Sequence, residues 1–288
     1  MKLHFLIFIL FQSLFIFSQE KRNEDVMKKN KVEKVSNYMV VPKTNPDYWT
    51  EPIGLMLISE IFFNEDGKEI KSNCFNCAIS SDSGSNDIYK TYFYENDRLV
   101  KMNEIGFDTI NVEYLYFEKQ LKNIEFKVNN KGDRIGLNFI ELDKQGNELK
   151  RKEFNFESAN ELNDFNVYYD LTKKTYSKNK IEETIQYRSF RISLEDLKIV
   201  KTSKDLLEIE NTINNFEKSI KSDRYKQFTT YLLGSKNTLM EEITRYDSDK
   251  SRKDMIKYNY NEKGLLIGIK VRQGVYNGEN KCIYKFRD

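Results

Sequence analysis

Four times in this chain an apolar residue is followed by Asn or Asp, two variable residues, a Gly, two more residues and an Ile or Leu. The copies are Phe63-Asn-Glu-Asp-Gly-Lys-Glu-Ile70, Val128-Asn-Asn-Lys-Gly-Asp-Arg-Ile135, Leu142-Asp-Lys-Gln-Gly-Asn-Glu-Leu149 and Tyr260-Asn-Glu-Lys-Gly-Leu-Leu-Ile267. Asn or Asp at the first position can accept a hydrogen bond from its own backbone further on. The glycine three residues later, Gly67, Gly132, Gly146 or Gly264, supplies the left-handed conformation that closes a type I turn with a bulge. The flanking aromatic and branched residues favour strands. The spacing therefore predicts structural turns at these four glycines and a succession of β-hairpins between them.

Candidate strands are 55–63, 68–76, 88–95, 98–105, 110–117, 121–129, 134–142, 147–156, 165–170 and 181–191, then 238–246, 254–261, 265–273 and 281–286. Proline supports them: Pro42, Pro46 and Pro52 are the only three, and none follows over residues 53–288, as suits strands that must all donate to a ladder. Residues 203–221 break the rhythm. Leu206, Ile209, Ile213, Phe216 and Ile220 recur at steps of three and four, with Ser203 placed to cap the start. One amphipathic helix is expected there, docked on the sheet; residues 224–233 are ambiguous. The expected fold is mainly β, an antiparallel meander of hairpins that stack for stability.

A second pattern overlaps the turns. Tyr92-Phe-Tyr94, Tyr114-Leu-Tyr116 and Tyr258-Asn-Tyr260 each place a Leu seven residues beyond the first Tyr. Residues i and i+2 share a face of a strand, so each pair lines one side of the sheet. Tyr258-Asn-Tyr260-Asn-Glu-Lys-Gly264-Leu265 resembles the Tyr-Asp repeat of the RHS family, Tyr-x-Tyr-Asp-x-x-Gly-x-Leu. The looser repeats over 55–190 and 238–288 resemble those of uncharacterised exported proteins of Bacteroidetes. The resemblance implies β-hairpin repeats in an exported protein. RHS proteins form long shells of sheet, which this chain is too short to build, and the family offers no catalytic residue to carry over.

The first residues read as a secretory signal: Lys2, an apolar run from Phe5 to Phe17, and a cleavage site between Ser18 and Gln19. The expected organisation is a signal peptide over 1–18, a flexible or extended lead-in over 19–52 and the hairpin domain over 53–288. This stretch of thirteen residues, interrupted by Gln12 and Ser13, falls short of the roughly 20 that a spanning helix needs, so the mature chain is expected to be exported, to periplasm, cell surface or medium, without a transmembrane segment. Cleavage removes only Lys2 of the 47 basic residues and leaves 45 acidic ones, a net of +1. That balance argues against nucleic acid as a partner.

The single histidine is His4, inside the signal. The mature chain therefore lacks histidine-based triads, bases and metal ligands. Cys74-Phe-Asn-Cys77 is expected to form a disulfide, with Cys74–Cys77 and either bridge to Cys282 left open and one thiol remaining over. Asp82-Ser-Gly-Ser-Asn-Asp87 sets oxygen ligands at alternate positions, but reads as a solvated loop. The adjacent carboxylates Glu182-Glu183 and Glu241-Glu242 point to opposite faces of a strand, so neither pair is an acid/base couple. No metal or cofactor is expected.

Tyr92, Tyr94, Tyr114, Tyr116, Tyr258 and Tyr260 are the candidate ligand surface, weighed against packing across strands at roughly 0.2–1 kcal/mol per pair. Their hydroxyls are expected to reach water. The functional expectation is a non-enzymatic binding or structural module of the cell envelope, with a glycan or another envelope protein as partner. The alternatives are a polysaccharide hydrolase or lyase using Asp, Glu and Tyr, and an accessory or immunity factor acting through protein contacts.

Overall fold

A computed structural model of the chain describes residues 17–41, 54–80, 84–106, 108–156, 166–219, 225–234, 238–249, 251–273 and 276–287. Most of the predicted signal, the proline segment with Trp49, and Asp82–Ser83 of the polar loop lie outside the described residues. Helix α1 (Phe17–Lys29) leads into β1 (Val32–Val41), β2 (Gly54–Phe63), β3 (Glu69–Ser80), β4 (Gly84–Glu95), β5 (Arg98–Ile105) and β6 (Thr109–Phe117). A 3-10 turn (Glu118–Gln120) precedes β7 (Lys122–Asn129), β8 (Arg134–Leu142), β9 (Glu148–Asn155), β10 (Asn166–Ser177) and β11 (Lys180–Arg191). Two helices follow, α2 (Leu194–Thr202) and α3 (Leu206–Ser219). The chain ends with β12 (Tyr225–Leu233), β13 (Leu239–Tyr246), β14 (Lys253–Tyr260), β15 (Leu266–Gln273) and β16 (Tyr276–Phe286).

The hairpins do not form an open meander. Each strand pairs antiparallel with its sequence neighbours, and β1 pairs with β16 as well as β2, closing a sixteen-stranded barrel. Val35 stands opposite both Tyr284 and Ile61, and Asn37 opposite both Cys282 and Ser59. Closure satisfies both edge strands, the problem that stacking alone leaves open. The closing strand comes from the stretch expected to be a flexible lead-in, whose Val-Glu-Lys-Val-Ser-Asn-Tyr-Met-Val-Val alternation a neighbouring charge run disguises. A chain judged too short for an enclosing shell does enclose one.

The four glycines sit at φ of +80° (Gly67), +86° (Gly132), +83° (Gly146) and +79° (Gly264). At the first, the Gly67 amide donates to the Asn64 carbonyl at 3.0 Å and the Asn64 amide to the Lys68 carbonyl at 2.9 Å. The Asn64 side chain accepts from the Asp66 and Lys68 amides. The same backbone pair recurs at Asn129, Asp143 and Asn261. Where the motif lacks its glycine, Asn96 and Asp97 take positive φ themselves, at the short polar cost these residues tolerate.

Alternation along the strands separates an inner from an outer wall. In β14, Asp254, Ile256 and Tyr258 are buried while Lys253, Lys257 and Asn259 are exposed. The outer wall carries Lys71, Lys101, Glu113, Lys173, Lys257, Lys270, Arg272 and Lys281, all exposed, and its apolar interruptions include Tyr89, Phe93 and Ile105 on β4 and β5, Phe228 on β12 and Ile283 on β16. Over β7 to β10 the outer wall turns apolar, with Ile124, Phe126, Leu137, Phe139, Phe154 and Leu171 buried there. The helices α2 and α3 cover this stretch, setting Leu197, Val200, Ile209, Ile213 and Phe216 against it. Lys122 pairs with Glu210 at 2.6 Å and Lys152 with Glu217 at 3.0 Å, while the Tyr169 hydroxyl donates to Glu217 at 2.6 Å.

The helix expected over 203–221 is α3, and a second helix not expected from the sequence, α2, precedes it. Ser203 ends α2 instead of starting α3; Ser193 caps α2 and Asp205 accepts the Glu208 amide at the start of α3. Residues 225–233 are strand β12.

Candidate functional site

The hairpin turns at one rim of the barrel, 64–67, 95–98, 143–146 and 261–264, are tight, and the strands that leave them bring the tyrosines inward. A cavity of about 500 Å³ lies inside that rim. All six tyrosines singled out from the sequence line it: Tyr92, Tyr94, Tyr114, Tyr116, Tyr258 and Tyr260. They come from β4, β6 and β14 and share one enclosed space. Tyr284 of β16 joins them, with Ile61, Phe63, Leu99, Met102, Leu239 and Leu266 as apolar wall.

The hydroxyls do not end in bulk water as expected. Tyr94 donates to the Glu69 carbonyl at 2.9 Å, Tyr116 to Leu99 at 2.8 Å, Tyr176 to Glu148 at 2.8 Å and Tyr284 to Leu266 at 2.7 Å. Each accepting carbonyl lies two residues past the positive-φ residue that closes a turn, respectively Gly67, Asp97, Gly146 and Gly264. Each of these residues flanks the register shift that follows its turn, and the tyrosine of a nearby strand donates to its carbonyl there. The coincidence of tyrosines with turns in the sequence thus has a structural cause, and the ring faces remain as lining.

Helix α1 roofs the cavity. Val26 and Met27 pack with Val32, Val35, Leu265 and Tyr284, and Asn23, Glu24, Val26 and Met27 face the space. Its fit is close at Gly67, where a Cβ would overlap the Glu24 carbonyl oxygen and approach the Lys28 backbone nitrogen to 2.7 Å. Lys28 adds an exposed pair with Asp66 at 2.9 Å.

Charges line the cavity in pairs. Lys90 bonds Glu104 at 2.9 Å, and Arg98 bonds Glu118. Arg151 holds Glu125 at 3.0 Å and Glu148 at 2.8 Å. Asp97 is taken by Lys68 at 2.8 Å. Glu69 interacts with the hydroxyls of Tyr92 and Ser72; burial outweighs these bonds and raises its pKa to about 6. Burial, then the Glu69 charge, pushes Tyr92 well up.

Deeper in the lumen Lys174 bridges Glu148 at 3.1 Å and Glu183 at 3.4 Å, and Tyr231 donates to Glu183 at 3.0 Å. Burial opposes ionisation of Glu148, but Arg151 and Lys174 prevail and hold it down to about 2. Glu242 accepts from Tyr258 at 3.2 Å; burial, then the charge of Glu183, raises it to about 7. Each adjacent carboxylate pair thus sends one member inward, Glu183 or Glu242, and the inward members meet across β11 to β13. The sequence revealed the opposite facing within each pair but not this meeting, which depends on register.

Cys74 and Cys77 form a disulfide with Cα atoms 5.6 Å apart, at the register shift between β3 and β4. Cys282 is a buried free thiol in the cavity wall, donating to Asn37 at 3.0 Å, and burial pushes its pKa up to about 12. No group of three or more metal-ligating side chains occurs among the described residues. No described helix is long and apolar enough to cross a membrane, which leaves crossing by strands untouched.

No protein-family model matches this chain, so the resemblance to RHS repeats gains no support there. No curated protein matches it either. Among solved structures, a porin-like protein from Bacteroides uniformis aligns over 89% of this chain and 97% of its own, at 11% identity and a TM-score of 0.29. A second porin-like protein, from Bacteroides vulgatus, aligns over 88% and 98%, at 10% identity and a TM-score of 0.26. Superpositions this loose carry neither function nor membrane placement across.

Proposed function

We propose that this protein is an exported, water-facing β-barrel that binds a small amphipathic molecule inside its lumen and does no chemistry on it. The tyrosine-lined cavity of about 500 Å³ carries the reading. Its size falls within the range of small-molecule sites, and such sites combine apolar walls with a few placed polar groups. A folded protein cannot enter such a space, so the envelope-protein and immunity-factor alternatives would need the outer wall instead.

The outer wall supports a barrel in water over one in lipid. Spanning barrels present an apolar band about 25 Å tall, and a Lys or Arg facing lipid at mid-depth costs about 2–4 kcal/mol. Here Lys257 stands beside Lys270 near the middle of β14 and β15, and Lys281, Lys101 and Glu113 hold similar places. Export is supported by the signal-like leader and by a disulfide, which suits an oxidising compartment.

The test uses the neutral fluorescent probe N-phenyl-1-naphthylamine with the mature chain in detergent-free buffer. Saturable binding at one probe per chain is expected, and Met102→Trp, which fills the cavity, should abolish it while the fold persists by circular dichroism. Absence of binding to the parent protein, or undiminished binding to Met102→Trp, refutes the lumen site.

A further inference from the structure

The charges around the lumen favour one class of occupant. The lining cations are already neutralised at bonding distance: Lys90 by Glu104, Arg98 by Glu118, and Arg151 by Glu125 and Glu148. An anionic ligand at Arg151 would have to break one of its pairs and leave Glu125 or Glu148 unpaired in a poorly solvated space, which is costly. Glu69 is in the reverse position. Its partners are the hydroxyls of Tyr92 and Ser72, and Lys90 acts on it only at range. By area Glu69 keeps some exposure, and it lines the cavity. Around it the walls are tyrosine rings, whose faces attract cations. The protein uses two of them so itself, with Lys68 lying 5.2 Å from the Tyr94 centroid and Arg98 5.8 Å from that of Tyr116.

We propose, resting on the lumen-binding reading above, that the cavity takes an organic cation with an aromatic or apolar body, its charge set against Glu69 and the tyrosine faces. Burial raises the Glu69 carboxyl to about 6, outweighing its hydroxyl bonds and the distant charge of Lys90; it is mostly ionised at neutral pH, and a bound ammonium would supply a direct counter-charge.

An isosteric pair of probes separates charge from shape: 4-hydroxyphenyltrimethylammonium and 4-tert-butylphenol, measured by calorimetry at pH 7.5. The cation is expected to bind about tenfold tighter or better, the scale of a desolvated cation–π contact with a carboxylate added. In Glu69→Gln the preference should fall to within about twofold while the neutral probe keeps its affinity. Glu69→Asp, which keeps the charge and withdraws it, should fall between them and serves if the Gln variant does not fold. Equal binding of the two probes to the parent protein overturns the cation class but leaves the lumen site standing. Failure of both probes, with N-phenyl-1-naphthylamine still bound and still excluded by Met102→Trp, does the same. A cation preference untouched in Glu69→Gln and Glu69→Asp overturns the role of Glu69. Loss of all three ligands from the parent protein removes the lumen site itself, and this proposal with it.

Discussion

Replacing Glu242 by Gln tests whether the lumen is a dry interior or a water-filled passage. Gln has the same shape and can still accept from the Tyr258 hydroxyl, which sits 3.2 Å from the carboxylate. What disappears is an ionisable group in a place that resists its charge. Burial and Glu183 raise the Glu242 pKa from 4.5 to about 7, so the folded state holds its proton over a range in which the unfolded chain has released it. The stabilisation from holding that proton is fully present below about pH 4.5, fades as pH rises through about 7 and is gone above it. At about 1.4 kcal/mol for each factor of ten, the parent protein at pH 8 carries a penalty of about 3 kcal/mol that Glu242→Gln lacks. At pH 5 most of it is absent, leaving under about 1 kcal/mol. Urea unfolding of both proteins at the two pH values measures the difference. Glu242→Gln should be the more stable at pH 8, with a gap that shrinks sharply at pH 5. Equal stabilities at pH 8, or a gap independent of pH, would mean that Glu242 is solvated and the interior is not the enclosed space described.

Gly146→Ala and Gly67→Ala separate the turn from the roof. Both meet the strain of positive φ, about 1–2 kcal/mol, but Gly146 has open space around its missing Cβ while Gly67 abuts the α1 backbone. Thermal melts should show the larger loss for Gly67→Ala, and equal losses would refute the seating of α1. Tyr116→Phe and Tyr284→Phe each remove one hydroxyl hydrogen bond to a backbone carbonyl and should each cost about 1 kcal/mol, adding in the double variant because the sites are independent. No loss in either would show that the hydroxyl clamps are idle. Phe216→Ala removes a buried ring between α3 and the barrel and should cost about 3–5 kcal/mol; a loss below about 1 kcal/mol would mean the helices are not fixed to the outer wall.

Local chemistry made the hairpins legible. Asn or Asp followed by Gly at fixed spacing marks a turn wherever it occurs, and Ile209, Ile213 and Phe216 announced a helix face. Closure was not legible, because the partner of β16 is β1, some 250 positions away by sequence, and no residue on either strand names the other. The tyrosines were visible as pairs, but alternation defines only two faces and not which of them looks inward. Glu69 and Arg151 do not stand out in a chain where 32% of residues are charged, and Glu242 is visible only as half of an adjacent pair facing opposite ways; inward parity alone sets the three apart, and that needs the register. Alternating exposed Lys with buried Tyr or Ile, as in Lys257-Tyr258, is the sequence signal behind the proposed water-facing wall.

Vesicle flotation bears most directly on the account as a whole. The mature protein, purified without detergent and mixed with lipid vesicles, should stay at the bottom of a density gradient as a monodisperse species and leave planar bilayers non-conducting. Co-flotation that survives high salt, together with detergent-dependent solubility and stepwise conductance, would place lipid against Lys257 and Lys270 and contradict it.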